Sequence, residues 1–306
     1  MRDEGKNMRL GFIGLGVMGR PMALNLMKHG HEMAVYARRA ASAEPLVSAG
    51  ARLCGSPREV AENAEVIFTM VTSSSDVENV ALGEDGIIKG ARAGCVLVDM
   101  ETIAPAVARR VAASLAERGI DMLDAPVSGG PAGAQQATLS IMAGGKAAVF
   151  ERVKPLLECL GKTIVHMGES GAGQTTKACN QLALLVCAQG AAEALALARA
   201  SGIDPAKVRE VLMAGVAASR VLDLFGARMV SRDFAAGIET RLYHKDLDIV
   251  LELAHGLGQA VPAGAVVMQH INAMIGRGDG TSDLSALIKI IEAMSMPDDA
   301  RRNDAA

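Results

Sequence analysis

The chain has 306 residues, 50% apolar and 21% charged, which suits a globular protein of two domains. A net charge of −3, with no basic run interleaved with aromatics, excludes a general nucleic-acid binder. The five cysteines (Cys54, Cys95, Cys159, Cys179, Cys187) form no Cys-x-x-Cys and no paired framework, so they read as free thiols in a reducing cytoplasm.

The N-terminus is charged and has no continuous apolar h-region, so no signal peptide is expected. The first half then alternates short apolar runs with helical stretches. Strands are predicted at 9–13, 32–36, 66–70, 95–99 and 121–124, with helices at 21–29, 57–63 and 104–118 between them. Further strands at 138–144 and 163–166 flank a helix at 149–160. This order implies a mostly parallel sheet with helices on both faces. After about residue 166 the pattern becomes all-helical. One very long helix is predicted over 172–200, stopped by Gly202. Polar residues Asn180, Gln181, Gln189 and Glu193 make it a buried core helix rather than a membrane span. More helices are predicted at 205–214, 222–230, 243–256, 264–275 and 284–294. Aromatics are scarce, with five Phe, two Tyr and no Trp, so aliphatic residues and 17 Met must build the core.

The expected fold class is therefore α/β. A Rossmann-type dinucleotide-binding domain (1–166) leads through the long helix into an all-α domain for substrate and dimerisation (167–296), and the last residues (297–306) read as a disordered tail.

Four stretches carry chemistry. Gly14-Leu15-Gly16-Val17-Met18-Gly19 directly follows the first strand and opens a helix. The first glycine allows the tight turn, the second lets the backbone approach a pyrophosphate, and the third lets helix and strand pack closely. The end of the second strand reads Tyr36-Ala37-Arg38-Arg39, without the acid that would hold a ribose 2′-hydroxyl. Two guanidiniums there suit a 2′-phosphate, so NADP is preferred and NAD remains possible; the alternative is a solvated pair of surface arginines.

Downstream, Asp124-Ala125-Pro126-Val127-Ser128-Gly129-Gly130-Pro131 offers the Ser128 hydroxyl and the N–H groups of Gly129 and Gly130, a nest able to hold a carboxylate; the plainer reading is a tight turn. Lys177, Asn180 and Gln181 then fall on one face at the start of the long helix. A buried lysine there can exchange a proton with a reacting oxygen, whereas a snorkelling lysine would do nothing. The fourth stretch, Arg241 to Asp248, is by itself an ordinary charged helix start. The histidines have no ligand-type spacing, so no metal is expected.

In this order these stretches resemble the β-hydroxyacid dehydrogenase family, which includes 3-hydroxyisobutyrate dehydrogenase and tartronate semialdehyde reductase (2-hydroxy-3-oxopropionate reductase). The resemblance runs from about residue 8 to 294. It rests on 11–19 with Pro21-Met22-Ala23-x-Asn25-Leu26, on 99–105, 124–130 and 171–180, and on Lys245-Asp246-Leu247. The Asn180-Gln181 pair and the run from Gly278 to Leu287 resemble the tartronate semialdehyde reductase branch.

The resemblance implies an oxidoreductase that moves a hydride between NAD(P) and a small β-hydroxy acid or its semialdehyde. It implies Lys177 as catalytic acid/base, with Asn180 holding the substrate and orienting the lysine. Ser128, Gly129 and Gly130 would bind the substrate carboxylate. Gly14, Leu15, Gly16, Val17 and Met18 would line the pyrophosphate, and Arg38 the adenosine end. Val71, Thr72 and Thr102 would lie along the cofactor, and Lys245 would approach the nicotinamide end. A homodimer or homotetramer in the cytoplasm, without nucleic-acid or membrane partners, is implied as well. A second hypothesis is a catalytically inactive NADP-binding interaction module on the same scaffold; the presence of Lys177 and the nest favours the enzyme.

Two departures stand out. Glu101 occupies a position where the family has a small Ser or Thr, and this extra carboxylate is expected to point to solvent. The run Ala236-Gly237-Ile238-Glu239-Thr240-Arg241 replaces a Gly-Phe-Arg pattern near the pocket, which leaves the substrate open.

Overall fold

The computed structural model describes residues 7–295; the tail predicted at 297–306 lies outside them. The chain divides into two compact units, with the boundary between Lys177 and Ala178.

In the first unit the elements run β1 (Arg9–Ile13), α1 (Gly19–Lys28), β2 (Glu32–Tyr36), α2 (Glu44–Ser48), β3 (Arg52–Leu53), α3 (Pro57–Glu62), β4 (Val66–Thr69), α4 (Ser74–Leu82) and α5 (Ile87–Gly90). They continue with β5 (Val96–Asp99), α6 (Pro105–Ala116), β6 (Asp121–Asp124), β7 (Val127–Ser128), α7 (Gly130–Gln136), β8 (Leu139–Gly144), α8 (Ala147–Glu158) and β9 (Gly161–Gly168). The sheet has the order β3-β2-β1-β4-β5-β6-β8-β7, and β9 pairs with β8. From β3 across to β6 every pairing is parallel, while β8 runs antiparallel to β6 and β7. Alternation along the strands explains why both faces are covered. Leu10 and Phe12 of β1 join one apolar layer with Phe68, Val98 and Leu123. Ile13 joins the other with Ile67, Leu97 and Met122.

Sequence patterning missed α2, α4, α5 and α7. Helix α4 is declared by its cap: the Ser73 hydroxyl accepts the Asp76 N–H. A run of serines in front of it reads as loop. Helix α7 starts at Gly130-Pro131, which reads as a turn until the helix that follows is seen.

The remaining helices are α9 (Ala172–Ala200), α10 (Pro205–Ala214), α11 (Ala227–Ser231), α12 (Thr240–Leu257), α13 (Pro262–Gly276) and α14 (Leu287–Ser295). The helix predicted over 222–230 is in fact a π-helical turn at Leu222–Gly226 followed by α11. By length and hydropathy α9 could cross a membrane, yet it contributes Ala178, Leu185 and Ala188 to an apolar core with Tyr243, Leu247 and Ile271. A core helix of this composition is long and apolar for the same reason as a membrane span: it is buried on several sides.

Candidate active site

Each glycine of the first turn has a distinct steric duty. Gly14 has φ of 95°, and a Cβ there would meet the Met70 carbonyl. A Cβ on Gly19 would meet the Gly14 carbonyl, so α1 can approach β1 this closely only without a side chain. At Gly16 nothing lies within 4 Å of the Cβ position. That glycine keeps space open in front of the helix. The N-terminus of α1 has no side-chain cap. Open space facing uncapped backbone donors fits a pyrophosphate.

The turn opens into a cavity of about 520 Å³ lined by Gly14, Leu15, Gly16, Arg38, Val71 and Thr72 among others. A volume of this order suits the adenosine half of a dinucleotide. Val17, Met18, Thr102 and Lys245 are not part of this lining. The charged residues at the cavity come from two sides. Arg38 and Arg39 follow β2; Asp76 lies on α4, and Glu84 and Asp85 follow that helix. Arg38 Nη1 lies 3.6 Å from Asp76 Oδ1. The absence of an acid at the end of β2 therefore does not mean the absence of an acid in the cavity.

At the other end of the first unit, Lys177 is 7% exposed and its Nζ donates to the Val127 carbonyl at 2.8 Å. Val127 precedes Ser128, so the amine is tied to the strand that carries the nest. Gly129 (φ 131°) and Gly130 (φ 61°) turn the chain there into α7.

The start of α9 is fixed by two buried polar side chains. Asp124, 1% exposed, accepts the Gly171 N–H at 2.7 Å and the Gln174 N–H at 2.9 Å. It thus caps the helix from 47 residues away in sequence. Burial raises its pKa, and those N–H groups pull it part of the way back. Gly173 makes this docking possible, since a Cβ would strike the Asp124 and Met142 carbonyls.

Gln174 is 1% exposed. Its Nε2 donates to the Glu101 carbonyl at 2.7 Å, and its Oε1 accepts the Ile103 N–H at 3.1 Å. One amide therefore pins both ends of the Glu101-Thr102-Ile103 segment. Glu101 itself is 8% exposed, so the expectation that it points to solvent is wrong. The segment directly follows the central strand β5, whose residues are all buried. Asp99, paired in register with Asp124, is fully buried and accepts the Thr69 hydroxyl at 2.7 Å. Burial pushes its pKa up to about 8, with the neighbouring Glu101 and Asp124 charges adding to the effect. Its carboxyl is therefore mostly protonated at neutral pH.

In the second unit, Asn180 Nδ2 donates to Gln181 Oε1 at 2.8 Å, and Gln181 Nε2 donates to Asp246 Oδ2 at 2.6 Å. Lys245 Nζ lies 3.4 Å from Asp246 Oδ1. The predicted Asn180 and Lys245 are thus linked through Gln181 and Asp246, which the sequence motifs include but to which no role was given. Gln181 stood on the same helix face as Asn180, and Asp246 stood beside Lys245; nothing in their 65-residue separation signalled the contact. Asp124 and Gln174 had appeared only as parts of motifs. The signal that could have found Asp124 is a carboxylate at a strand end in a chain whose long helix begins without an acidic first turn. Among the described residues no group of three or more His, Cys, Asp or Glu could hold a metal ion.

A dinucleotide cradle at the head of a parallel sheet and a buried lysine beside a glycine nest define a nicotinamide-dependent oxidoreductase. The comparisons narrow the class. The model of the NAD binding domain of 6-phosphogluconate dehydrogenase matches residues 9–168. The model described as NAD-binding of NADP-dependent 3-hydroxyisobutyrate dehydrogenase matches residues 171–291. The chain is 44% identical to 2-hydroxy-3-oxopropionate reductase of Escherichia coli (strain K12) over 288 residues, covering 94% of this chain and 98% of that protein. It is 39% identical to 3-hydroxyisobutyrate dehydrogenase of Pseudomonas aeruginosa over 264 residues, 84% of this chain and 89% of that one. The solved structure of 3-hydroxyisobutyrate dehydrogenase of Mycobacterium tuberculosis with L-serine matches with a TM-score of 0.86 at 29% identity, covering 93% of this chain and 99% of that one. The chain belongs to the β-hydroxyacid dehydrogenase family and is an NAD(P)-dependent enzyme.

Proposed function

We propose that the chain interconverts a three- or four-carbon β-hydroxy acid and its semialdehyde, with Lys177 as proton donor and acceptor, NADP preferred and NAD accepted. The observation that carries this reading is the 2.8 Å bond from Lys177 Nζ to the Val127 carbonyl, which holds the amine next to Ser128. When bound, the nicotinamide gives or takes the hydride. The chain's own part is binding, orientation and the proton. The Ser128 hydroxyl and the N–H groups of Gly129 and Gly130 hold the substrate carboxylate. Lys177 delivers a proton to the oxygen being reduced, or removes it in the reverse direction. Anchoring the carboxylate fixes the reacting carbon, so this contact contributes to kcat as well as to KM.

The other roles are part of the same reading. Gly14, Leu15, Gly16, Val17 and Met18 take the pyrophosphate, and Arg38 the adenosine 2′-phosphate. Val71, Thr72 and Thr102 flank the cofactor, Lys245 contacts it, and Asn180 holds the substrate and orients the lysine. The division is cofactor domain 1–166 and helical domain 167–296, in a cytoplasmic homodimer or homotetramer. Similarity to a 2-hydroxy-3-oxopropionate reductase over nearly the whole of both chains favours a tartronate semialdehyde-like substrate. The named dehydrogenase and reductase relatives favour catalysis over an inactive module.

The test compares methylmalonate semialdehyde with isobutyraldehyde, which has the same carbon count but no carboxylate. With NADPH the acid is expected to be the better substrate by about 10²-fold or more in kcat/KM, because the uncharged aldehyde cannot pair with the hydroxyl and N–H donors of the nest. Equal kcat/KM for the two would reduce the Ser128 turn to a structural element.

A further inference from the structure

The adenosine cavity contains an acid that no sequence pattern places there. We propose that Asp76 is a specificity-determining residue: by engaging Arg38 it tempers the preference for a 2′-phosphate and keeps NAD usable. The proposal rests on the reading of Arg38 as the residue for the adenosine end.

Three observations carry it. The first is position. Asp76 and Arg38 both line the cavity, and Asp76 Oδ1 lies 3.6 Å from Arg38 Nη1. The second is which partner is fixed. The Asp76 side chain is 30% exposed and its Oδ2 accepts the Ser73 hydroxyl at 2.8 Å, while its own N–H is bound back to that hydroxyl. This reciprocal pair anchors the first turn of α4. Arg38 is 77% exposed. The arginine is the exposed partner and the carboxylate the one anchored by its helix turn.

The third observation is charge balance. Arg38 and Arg39 are the cations lining the cavity; Asp76, Glu84 and Asp85 are the acids. A 2′-phosphate brings close to two negative charges, needs the arginine fork, and must take it from Asp76. An uncharged ribose 2′-hydroxyl meets no such competition. Asp76 therefore opposes NADP without opposing NAD.

The experiment measures Kd for NADPH and for NADH by nicotinamide fluorescence on the full chain, without turnover. Wild type, Asp76→Asn, Asp76→Ala, Glu84→Gln and Arg38→Ala are compared. Both Asp76 variants are expected to lower the NADPH Kd about three- to tenfold, the range for freeing one exposed ion pair and removing one nearby like charge, while the NADH Kd stays within about twofold. The gain should shrink at 1 M salt, where screening acts over about 3 Å. Glu84→Gln should shift the ratio by less than about twofold, because its effect is long-range and screened. Any loss of active protein cancels in the ratio of the two Kd values, and the asparagine still offers an oxygen to Ser73.

An unchanged NADPH/NADH ratio in both Asp76 variants overturns the proposal, and so does an equal shift in Glu84→Gln, which would make the effect a general field. Arg38→Ala separates the two levels. If it weakens NADPH while the Asp76 variants change nothing, only the role of Asp76 falls. If it leaves NADPH affinity at the wild-type value, the reading of Arg38 falls and this proposal falls with it.

Discussion

The two ends of the first unit hold their functional groups by opposite means. At the glycine turn the working parts are backbone donors and empty space, and the side chains matter mostly by being absent. At the start of α9 the part read as working is one amine, held by contacts that span distant segments: the Asp124 carboxylate on the helix N–H groups, Gln174 of the helix on the Glu101–Ile103 segment, and the Val127 carbonyl on Lys177. A cradle made of backbone is written in consecutive residues. A side chain held by tertiary contacts is not. The first should fail locally when altered, and the second should fail through the fold.

The largest expected effect isolates the amine. Lys177→Ala should lose about 10²- to 10⁴-fold in kcat, the usual worth of a positioned acid/base, with the NADPH Kd within about twofold of wild type. Steady-state kinetics and a fluorescence titration on the same preparation check it; near-normal turnover would remove Lys177 from the chemistry.

A middle-sized effect tests the support. Asp124→Ala removes the acceptor for the Gly171 and Gln174 N–H groups, and should destabilise the protein by about 2–4 kcal/mol in urea unfolding. The helix it caps carries Lys177, so kcat should fall more than NADPH affinity. A variant as stable as wild type would show that α9 does not need this cap.

The smallest effect tests the cradle. Gly16→Ala adds a Cβ where nothing lies within 4 Å, so the melting temperature should be unchanged. The same methyl would occupy space read as belonging to the pyrophosphate, and the NADPH Kd should rise about tenfold, roughly 1.4 kcal/mol. Unchanged affinity would break the contrast, since the cradle would then not fail locally when altered.

What was legible in the sequence follows the same division. The parallel β-α order, the glycine turn and the start of α9 were legible because period-2 and period-3.6 patterns and positive-φ glycines are local properties. Lys177 was legible as a lysine at the head of an otherwise apolar helix. Its burial was one of two readings the sequence left open, and its partner was not foreseen. Glu101 was misread because a lone carboxylate in a loop is usually solvated; here it follows the end of a central strand and is buried. Helix α7 was missed because glycine and proline at its start speak first for a turn.

By itself, then, the sequence determined the class of fold and the family, and it marked the glycine turn and Lys177 as the candidate cofactor turn and acid/base. Tertiary structure alone decided the company these groups keep. Asp124 became a helix cap, Gln174 a clasp on the segment containing Thr102, Gln181 and Asp246 the link between Asn180 and Lys245, and Asp76 a partner for Arg38. Local patterns report the free energy of one segment at a time. A hydrogen bond between residues 47, 65 or 73 positions apart exists only once the sheet and helices have brought those segments together, and it leaves no periodic trace in the chain.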